Sequence, residues 1–130
     1  MIRWCGDATR VPGERRTRTG TASRVLFRRT LGKRELVLRQ KIIEPGGSSG
    51  WHYHDGTLFV LVTKGVLDHP GADCTPVTYR RGRIFREPSG PRYPHVARNQ
   101  GSVAVKLCVL YLNPVGSPLS RSVPAPDCAD

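Results

Sequence analysis

Several features that would place this chain in a specialised class are missing from it. Its 130 residues contain no run approaching the ~20 consecutive apolar residues of a membrane span. They contain no repeat or low-complexity tract, which excludes solenoids, collagen and coiled coils. The first ten residues lack the apolar core that a secretory signal needs. We therefore expect a cytoplasmic protein that does not bind membranes.

Acidic residues are scarce, and the chain is strongly basic. Ten Asp and Glu oppose 21 Lys and Arg, giving a net charge of +11, and twelve of the basic residues fall within positions 1–41. A basic excess can indicate a nucleic-acid partner. Here the arginines are scattered, without interleaved aromatic residues and without a nucleic-acid-binding motif. We therefore expect a solvated basic surface rather than a nucleic-acid site.

The chain has instead many short apolar segments separated by turns. Hydrophobic residues make up 38% of it, enough for one core, and Gly and Pro account for about one residue in five. Residues 35–43 alternate between two faces, and residues 58–63 and 103–112 have the composition of buried strands. No segment has the pattern of a long helix. Eight or nine short strands in one domain predict an all-β antiparallel sandwich or barrel.

This pattern divides the chain into three parts. Residues 1–22 contain glycines and many charges and predict a basic N-terminal arm. Residues 23–113 contain the strands of the barrel. Residues 114–130 contain four prolines and predict an extended tail packed on the barrel.

Two of the four histidines, His52 and His54, are separated by one residue. In an extended segment, alternate side chains lie on the same face, so both imidazoles point the same way. Neutral imidazole is the commonest ligand for transition metals, and such a pair can bind one ion. Taken alone, the pair is more often a surface or turn feature, so its meaning depends on the surrounding residues.

The surrounding residues resemble the two conserved motifs of the cupin superfamily, with two extra residues before the last histidine. The chain is also similar to small actinobacterial cupins that lack the glutamate of the first motif. The resemblance spans residues 46–99 and implies a double-stranded β-helix, or jelly-roll barrel. The matching residues are Gly46, His52, His54 and Gly65 in the first motif, and Gly82, Pro88, Gly90, His95 and Asn99 in the second.

The resemblance implies a metal centre that departs from the family pattern. Leu58 occupies the position of the family's glutamate ligand and cannot bind metal. The implied ligands are therefore His52, His54 and His95, holding a divalent transition metal such as Fe, Ni, Zn, Cu or Mn. Three neutral imidazoles leave the ion its full charge, which favours anionic ligands. Within the superfamily, such centres resemble those of iron dioxygenases.

Two alternatives to this ligand set remain. Asp55 or Glu87 could supply a replacement carboxylate. Alternatively, Leu58 marks a cupin that has lost its metal, whose histidines line a pocket for an organic ligand. The fourth histidine, His69, precedes Pro70 and Gly71 and is expected in an exposed turn.

Four further residues are candidate substrate contacts. Arg92 and Tyr93 lie in the enlarged loop before His95 and could bind an acidic substrate. Gln40 lies among apolar residues on one face of its strand, where a polar group needs a partner. Tyr111 falls on the inward face of the last long strand.

Cys74 and Cys128 are candidates for a disulfide that would pin the tail over the barrel. A reducing cytoplasm disfavours such a bond, so its presence stays open. No two cysteines have Cys-x-x-Cys spacing, which argues against a structural zinc site.

Together these features predict a metalloenzyme acting on a small anionic or chelating organic molecule. It would be an oxidoreductase such as a dioxygenase, an isomerase or a decarboxylase. A non-catalytic small-molecule-binding module is the main alternative, and nucleic-acid binding through the basic first third is another. Sheet edges in such folds commonly pair between subunits, so we expect a homodimer.

Overall fold

The computed structural model describes residues 15–16 and 20–129, so most of the predicted N-terminal arm lies outside the described residues. The described residues form β-strands joined by turns and loops and contain no helix, and hence none that could span a bilayer. The strands are β1 (Arg15–Arg16), β2 (Thr21–Leu31), β3 (Arg34–Ile43), β4 (His52–Tyr53), β5 (Thr57–Lys64), β6 (Val66–Asp68), β7 (Thr78–Arg80), β8 (Ile84–Glu87), β9 (Val105–Pro114) and β10 (Arg121–Ser122).

Six strands form one antiparallel sheet, in the order β1-β2-β3-β9-β5-β8. The second layer contains the pairs β10-β4 and β6-β7. The segment 95–98 joins these pairs, because His95 bridges His52 and Gly71 while Arg98 bridges Ser48 and Asp68. This two-layer antiparallel arrangement confirms the predicted all-β jelly-roll fold.

The core lies between the two layers and is built from alternate residues of the long strands. Because side chains alternate along a strand, one face of β9 and one face of β5 point inward. Full burial of an aliphatic side chain contributes roughly 1.5–3 kcal/mol, so these rows hold the layers together. They consist of Val105, Leu107, Val109 and Tyr111 on β9 and of Leu58, Val60 and Val62 on β5.

Gly65 lies where the chain leaves the large sheet, between β5 and β6. Its φ is +80°, and a Cβ there would lie 2.7 Å from the carbonyl oxygen of Ala104. Only glycine meets both conditions without strain. The turn directs β6 into the second layer, towards the histidines.

Candidate metal centre

His52, His54 and His95 converge inside the barrel. His52 and His95 are opposite residues that exchange two backbone hydrogen bonds, with N to O distances of 3.0 and 2.9 Å. His54 is two residues further along the extended segment and points to the same side. The three ring centroids are 4.5, 4.9 and 5.0 Å apart, and all three side chains are buried. The structure therefore brings together the histidines that the motif spacing singles out.

Backbone carbonyls determine which nitrogen of each ring faces the centre. Each Nδ1 donates a hydrogen bond to a carbonyl oxygen: His52 to Gly50 (2.7 Å), His54 to Leu119 (2.7 Å) and His95 to Tyr93 (3.1 Å). A neutral ring protonated at Nδ1 has its lone pair on Nε2. Burial and the nearby His95 lower the pKa of His52 to about 3, which keeps that ring neutral. Metal-binding histidines are held in this way.

The carboxylate that is missing at Leu58 comes from the neighbouring strand. Glu87 on β8 lies directly opposite Leu58 on β5. Its Oε2 is 3.0 Å from Nε2 of His54 and 3.0 Å from Nε2 of His95. Strand pairing therefore brings the Glu87 carboxylate, one of the two alternatives to a centre made only of imidazoles, next to His54 and His95.

The spacing of these atoms fits a shared cation. Oε2 of Glu87 is buried and meets no hydrogen-bond donor among the described residues. Burial raises the pKa of Glu87, but the adjoining imidazoles, among them His69, whose Nε2–H donates to Oε1, hold that pKa well below its usual range, so the group is ionised. Nε2 of His54 is 3.1 Å from Nε2 of His95. Ligand atoms about 2.1 Å from one ion and at right angles are about 3.0 Å apart. The three atoms therefore have the spacing of a metal-binding set.

His69 belongs to the same cluster, and its expected position in an exposed turn is wrong. Its side chain is buried, and its Nε2 is 2.8 Å from Oε1 of Glu87. His69 follows Leu67 by two residues on a still extended segment, so both side chains point inward, and the turn begins only after Gly71. The alternation Leu67-x-His69 is the sequence signal that could have revealed this. Two overlapping groups could hold an ion: His52, His54 and His95, or His69, Glu87 and His95.

Lys41, rather than Gln40, faces the centre from β3. Lys41 lines a small inner cavity of about 30 Å³ together with Tyr111. Gln40 lies opposite Cys108 of β9, and both point away from the inward row that contains Leu107. The expectation that Gln40 faces the substrate is therefore wrong, because the opposite face of β3, which carries Lys41, points to the interior. Burial and the adjacent Arg39 lower the pKa of Lys41 to about 8.

Tyr111 lies inside the barrel, as its position on β9 predicts. Its ring centroid is 5.9 Å from that of His54, and its hydroxyl accepts a hydrogen bond of 3.1 Å from Nη1 of Arg39. Burial raises the pKa of Tyr111, so the hydroxyl keeps its proton. The inner wall of the centre thus contains a phenol and an ammonium group.

A larger cavity of about 400 Å³ opens on the other side of the cluster. Arg92 and Tyr93 line it together with His95, so both loop residues border a cavity that reaches the histidine cluster. His69 and Glu87 line both this outer cavity and the inner one. The His69–Glu87 pair therefore separates the cavity that can admit a ligand from the interior of the barrel.

The C-terminal tail crosses the second layer and is fixed at several points. Leu119 packs against the core, and β10 pairs with β4, which carries His52. Arg121 binds Asp55 through two nitrogens, each 2.8 Å from a carboxylate oxygen. The Asp55 carboxylate therefore binds Arg121 and is not part of the histidine cluster. The alternative in which Asp55 is the carboxylate ligand of the metal is wrong.

The same tail ends at a disulfide. Cys74 is joined to Cys128, with Cα atoms 6.0 Å apart. Cys74 follows residues 71–73, which line the outer cavity. The disulfide therefore connects the end of the tail to the wall of that cavity.

A family model described as "Cupin domain" matches residues 40–111, more than half of the chain and the whole of the histidine cluster. A comparison with curated proteins found no match.

Solved structures share the fold. The polyketide cyclase RemF from Streptomyces resistomycificus is 23% identical, with 92% of this chain and 79% of that chain covered and a TM-score of 0.66. A cupin-2 domain from Rhodospirillum rubrum is 17% identical, with coverage of 91% and 80% and a TM-score of 0.68. A sugar phosphate isomerase of the cupin superfamily from Silicibacter pomeroyi is 22% identical, with coverage of 72% and 60% and a TM-score of 0.59.

Proposed function

The chain belongs to the cupin family, and on that premise we propose that it is a metalloenzyme acting on a small anionic or chelating organic molecule. A divalent transition metal would be held by Nε2 of His52, His54 and His95 and by Oε2 of Glu87. The candidate metals are Fe, Ni, Zn, Cu and Mn, which imidazole ligands suit.

One observation carries the proposal. Lone-pair atoms of His54, His95 and Glu87 lie 3.0–3.1 Å from one another in a buried site, and each of the three cupin-motif histidines has its other ring nitrogen fixed by a backbone carbonyl. Buried polar atoms that face one another without a shared proton repel, and a cation removes that cost. This arrangement favours a metal centre over histidines that merely line a pocket.

The chemistry of the proposed centre follows from its charges. A bound divalent ion would act as a Lewis acid. The Glu87 carboxylate would lower the net charge of the ion and its ligands from +2 to +1. Arg92 and Tyr93 would hold the substrate from the outer cavity, while Lys41 and Tyr111 carry protons at Nζ and Oη on the inner side. Isomerisation and decarboxylation need no second substrate, whereas dioxygenase chemistry consumes O₂. The fold itself does not select among these reactions.

A non-catalytic ligand-binding module is less well supported. The inner cavity beside His52 and His54 has a volume of only about 30 Å³, close to that of one water molecule. An organic ligand of such a module would therefore have to bind in the outer cavity, where His52 and His54 do not contribute to the lining.

Elemental analysis tests the proposal. Protein produced with Fe, Ni, Zn, Cu and Mn supplied should carry about one equivalent of metal per chain. His95→Ala and Glu87→Gln should each weaken metal binding at least about tenfold. Glu35→Gln, which changes a carboxylate bound to Arg28 far from the centre, is the matched control. Wild-type protein that is folded but binds none of the five metals would refute the proposal.

A further inference from the structure

We propose that the outer cavity binds a flat, conjugated organic acid, with its ring system on an aromatic wall and its carboxylate against arginine. This inference rests on the proposed metal function, because it names the substrate class of the same centre. It is carried by three features of the cavity: its rings, its charges and its size.

The aromatic wall is a continuous series of rings that leads to the metal centre. Tyr79 and Phe85 are stacked, with centroids 3.8 Å apart and planes inclined by 6°. The Phe85 centroid is 5.0 Å from that of His69, which is in turn 4.8 Å from that of His95. All four residues line the outer cavity. Flat ring faces bind flat conjugated molecules by offset stacking, whereas a sugar would require many hydrogen-bonding groups.

An arginine without a partner offers the cavity a place for an anion. Arg92 lines the cavity, and its guanidinium has no ion pair or side-chain hydrogen bond with any residue in the described part of the chain. Both carboxylates of the lining are engaged: that of Asp73 accepts a hydrogen bond of 3.0 Å from the backbone N–H of Thr75, and that of Glu87 lies 2.8 Å from Nε2 of His69. A guanidinium binds a carboxylate through two parallel hydrogen bonds, which fixes the direction of the bound molecule.

The size of the cavity limits the ligand. A volume of about 400 Å³ lies near the lower end of the range for organic-ligand pockets, which suits a molecule of one or two fused rings. The His69–Glu87 pair closes the inner end, so the ligand would stop beside Glu87 and His95. The polar group of the ligand nearest these residues would then be placed at the metal.

Binding of three matched probes to the metal-loaded protein tests this inference by calorimetry. The probes are 2-naphthoate, its neutral analogue 2-naphthamide, and its saturated analogue decahydro-2-naphthoate. We expect 2-naphthoate to bind at least about tenfold more tightly than the amide, because only the acid pairs with arginine. We expect it to bind about three- to tenfold more tightly than the saturated acid, because only the flat acid stacks on the wall.

Variants separate the contribution of the arginine from that of stacking on the aromatic wall. Arg92→Gln should weaken naphthoate binding about tenfold and leave amide binding unchanged. Phe85→Leu should reduce the preference for the flat acid over the saturated one. Arg80→Gln, on β7 and outside the cavity lining, should change neither. Equal affinity for all three probes, or loss of binding in Arg80→Gln equal to that in Arg92→Gln, would overturn the inference.

Metal content measured on the same samples keeps the two proposals distinct. A metal-loaded protein without preference for naphthoate would contradict only the substrate class. A protein that prefers naphthoate but binds no metal would contradict the proposed metalloenzyme while retaining the acid-binding cavity.

Discussion

Glu87 brings a carboxylate to the histidine cluster from the strand opposite the position at which the family motif has its glutamate. Directly opposite side chains of two antiparallel strands have Cβ atoms about 4.5–5.5 Å apart. Glu87 is the residue opposite Leu58, the position at which the family motif places its glutamate. A carboxylate can therefore reach the histidines from either strand, provided that the opposite residue is apolar and leaves room for it.

Exchanging the two residues tests this explanation. Glu87→Leu should weaken metal binding at least about tenfold, because it removes the carboxylate that lies 3.0 Å from Nε2 of His54 and of His95. The double variant Leu58→Glu/Glu87→Leu should recover most of that loss, because it returns the carboxylate to the opposite strand. Competition with a chromophoric chelator measures the affinities.

Leu58→Glu alone is the control for the exchange. It places two carboxylates side by side in a buried site and should lower the melting temperature. If the double variant folds with an unchanged melting temperature but binds metal no better than Glu87→Leu, the equivalence of the two positions is disproved.

At the scale of elements, the C-terminal tail is part of the support of the centre. The Leu119 carbonyl accepts a hydrogen bond from Nδ1–H of His54, and β10 pairs with the strand that carries His52. The tail is fixed further along by the Cys74–Cys128 disulfide. Losing that bond should therefore affect both stability and metal binding.

Cys128→Ser measures both effects. A bond across a separation of 54 residues contributes up to about 4 kcal/mol in the loop-entropy account, so the free energy of unfolding should fall by a few kcal/mol. Metal affinity should fall about tenfold, because the carbonyl that orients His54 becomes less well held. Ser120→Ala, in the same tail, is the control. An unchanged metal affinity in a clearly destabilised Cys128→Ser would show that the tail does not support His54.

The elements also show which parts of the structure the sequence could predict. His52, His54 and His95 lie in motifs with fixed spacing, and the strands follow from alternation and turn residues. Glu87 could be named only as one of two alternative carboxylates, because its position depends on how distant strands pair. His69 was expected in an exposed turn, although the alternation Leu67-x-His69 indicates an inward position. The inward face of β3 was misjudged because both faces carry apolar residues, with Leu36, Leu38 and Ile42 on one and Val37 and Ile43 on the other.

At the scale of the whole molecule, the outer face of the large sheet carries an apolar row. Phe27, Leu38, Leu110 and Phe59 are in register across β2, β3, β9 and β5. Phe27 is 47% exposed and Phe59 is 39% exposed. A contiguous exposed apolar surface of this kind is typical of an interface. We therefore propose this row as the contact surface of the expected homodimer.

Light scattering over a range of concentrations checks this prediction. The wild-type protein should have the mass of a dimer, and Phe59→Glu should have that of a monomer, because it buries a charge in the contact. Phe85→Leu, which changes an aromatic residue of the outer cavity instead, should remain dimeric. A monomeric wild-type protein would rule out the row as an interface.

The chain has only four histidines, and all four lie in one cluster. In tag-free protein, every imidazole resonance of a nuclear magnetic resonance spectrum therefore reports on the same few ångströms of structure. Ring ¹⁵N shifts would give the tautomer of each histidine directly, and a titration with a diamagnetic ion such as Zn²⁺ would identify its ligands one by one without any substitution. The four histidines thus serve as natural spectroscopic labels that report which residues bind the metal.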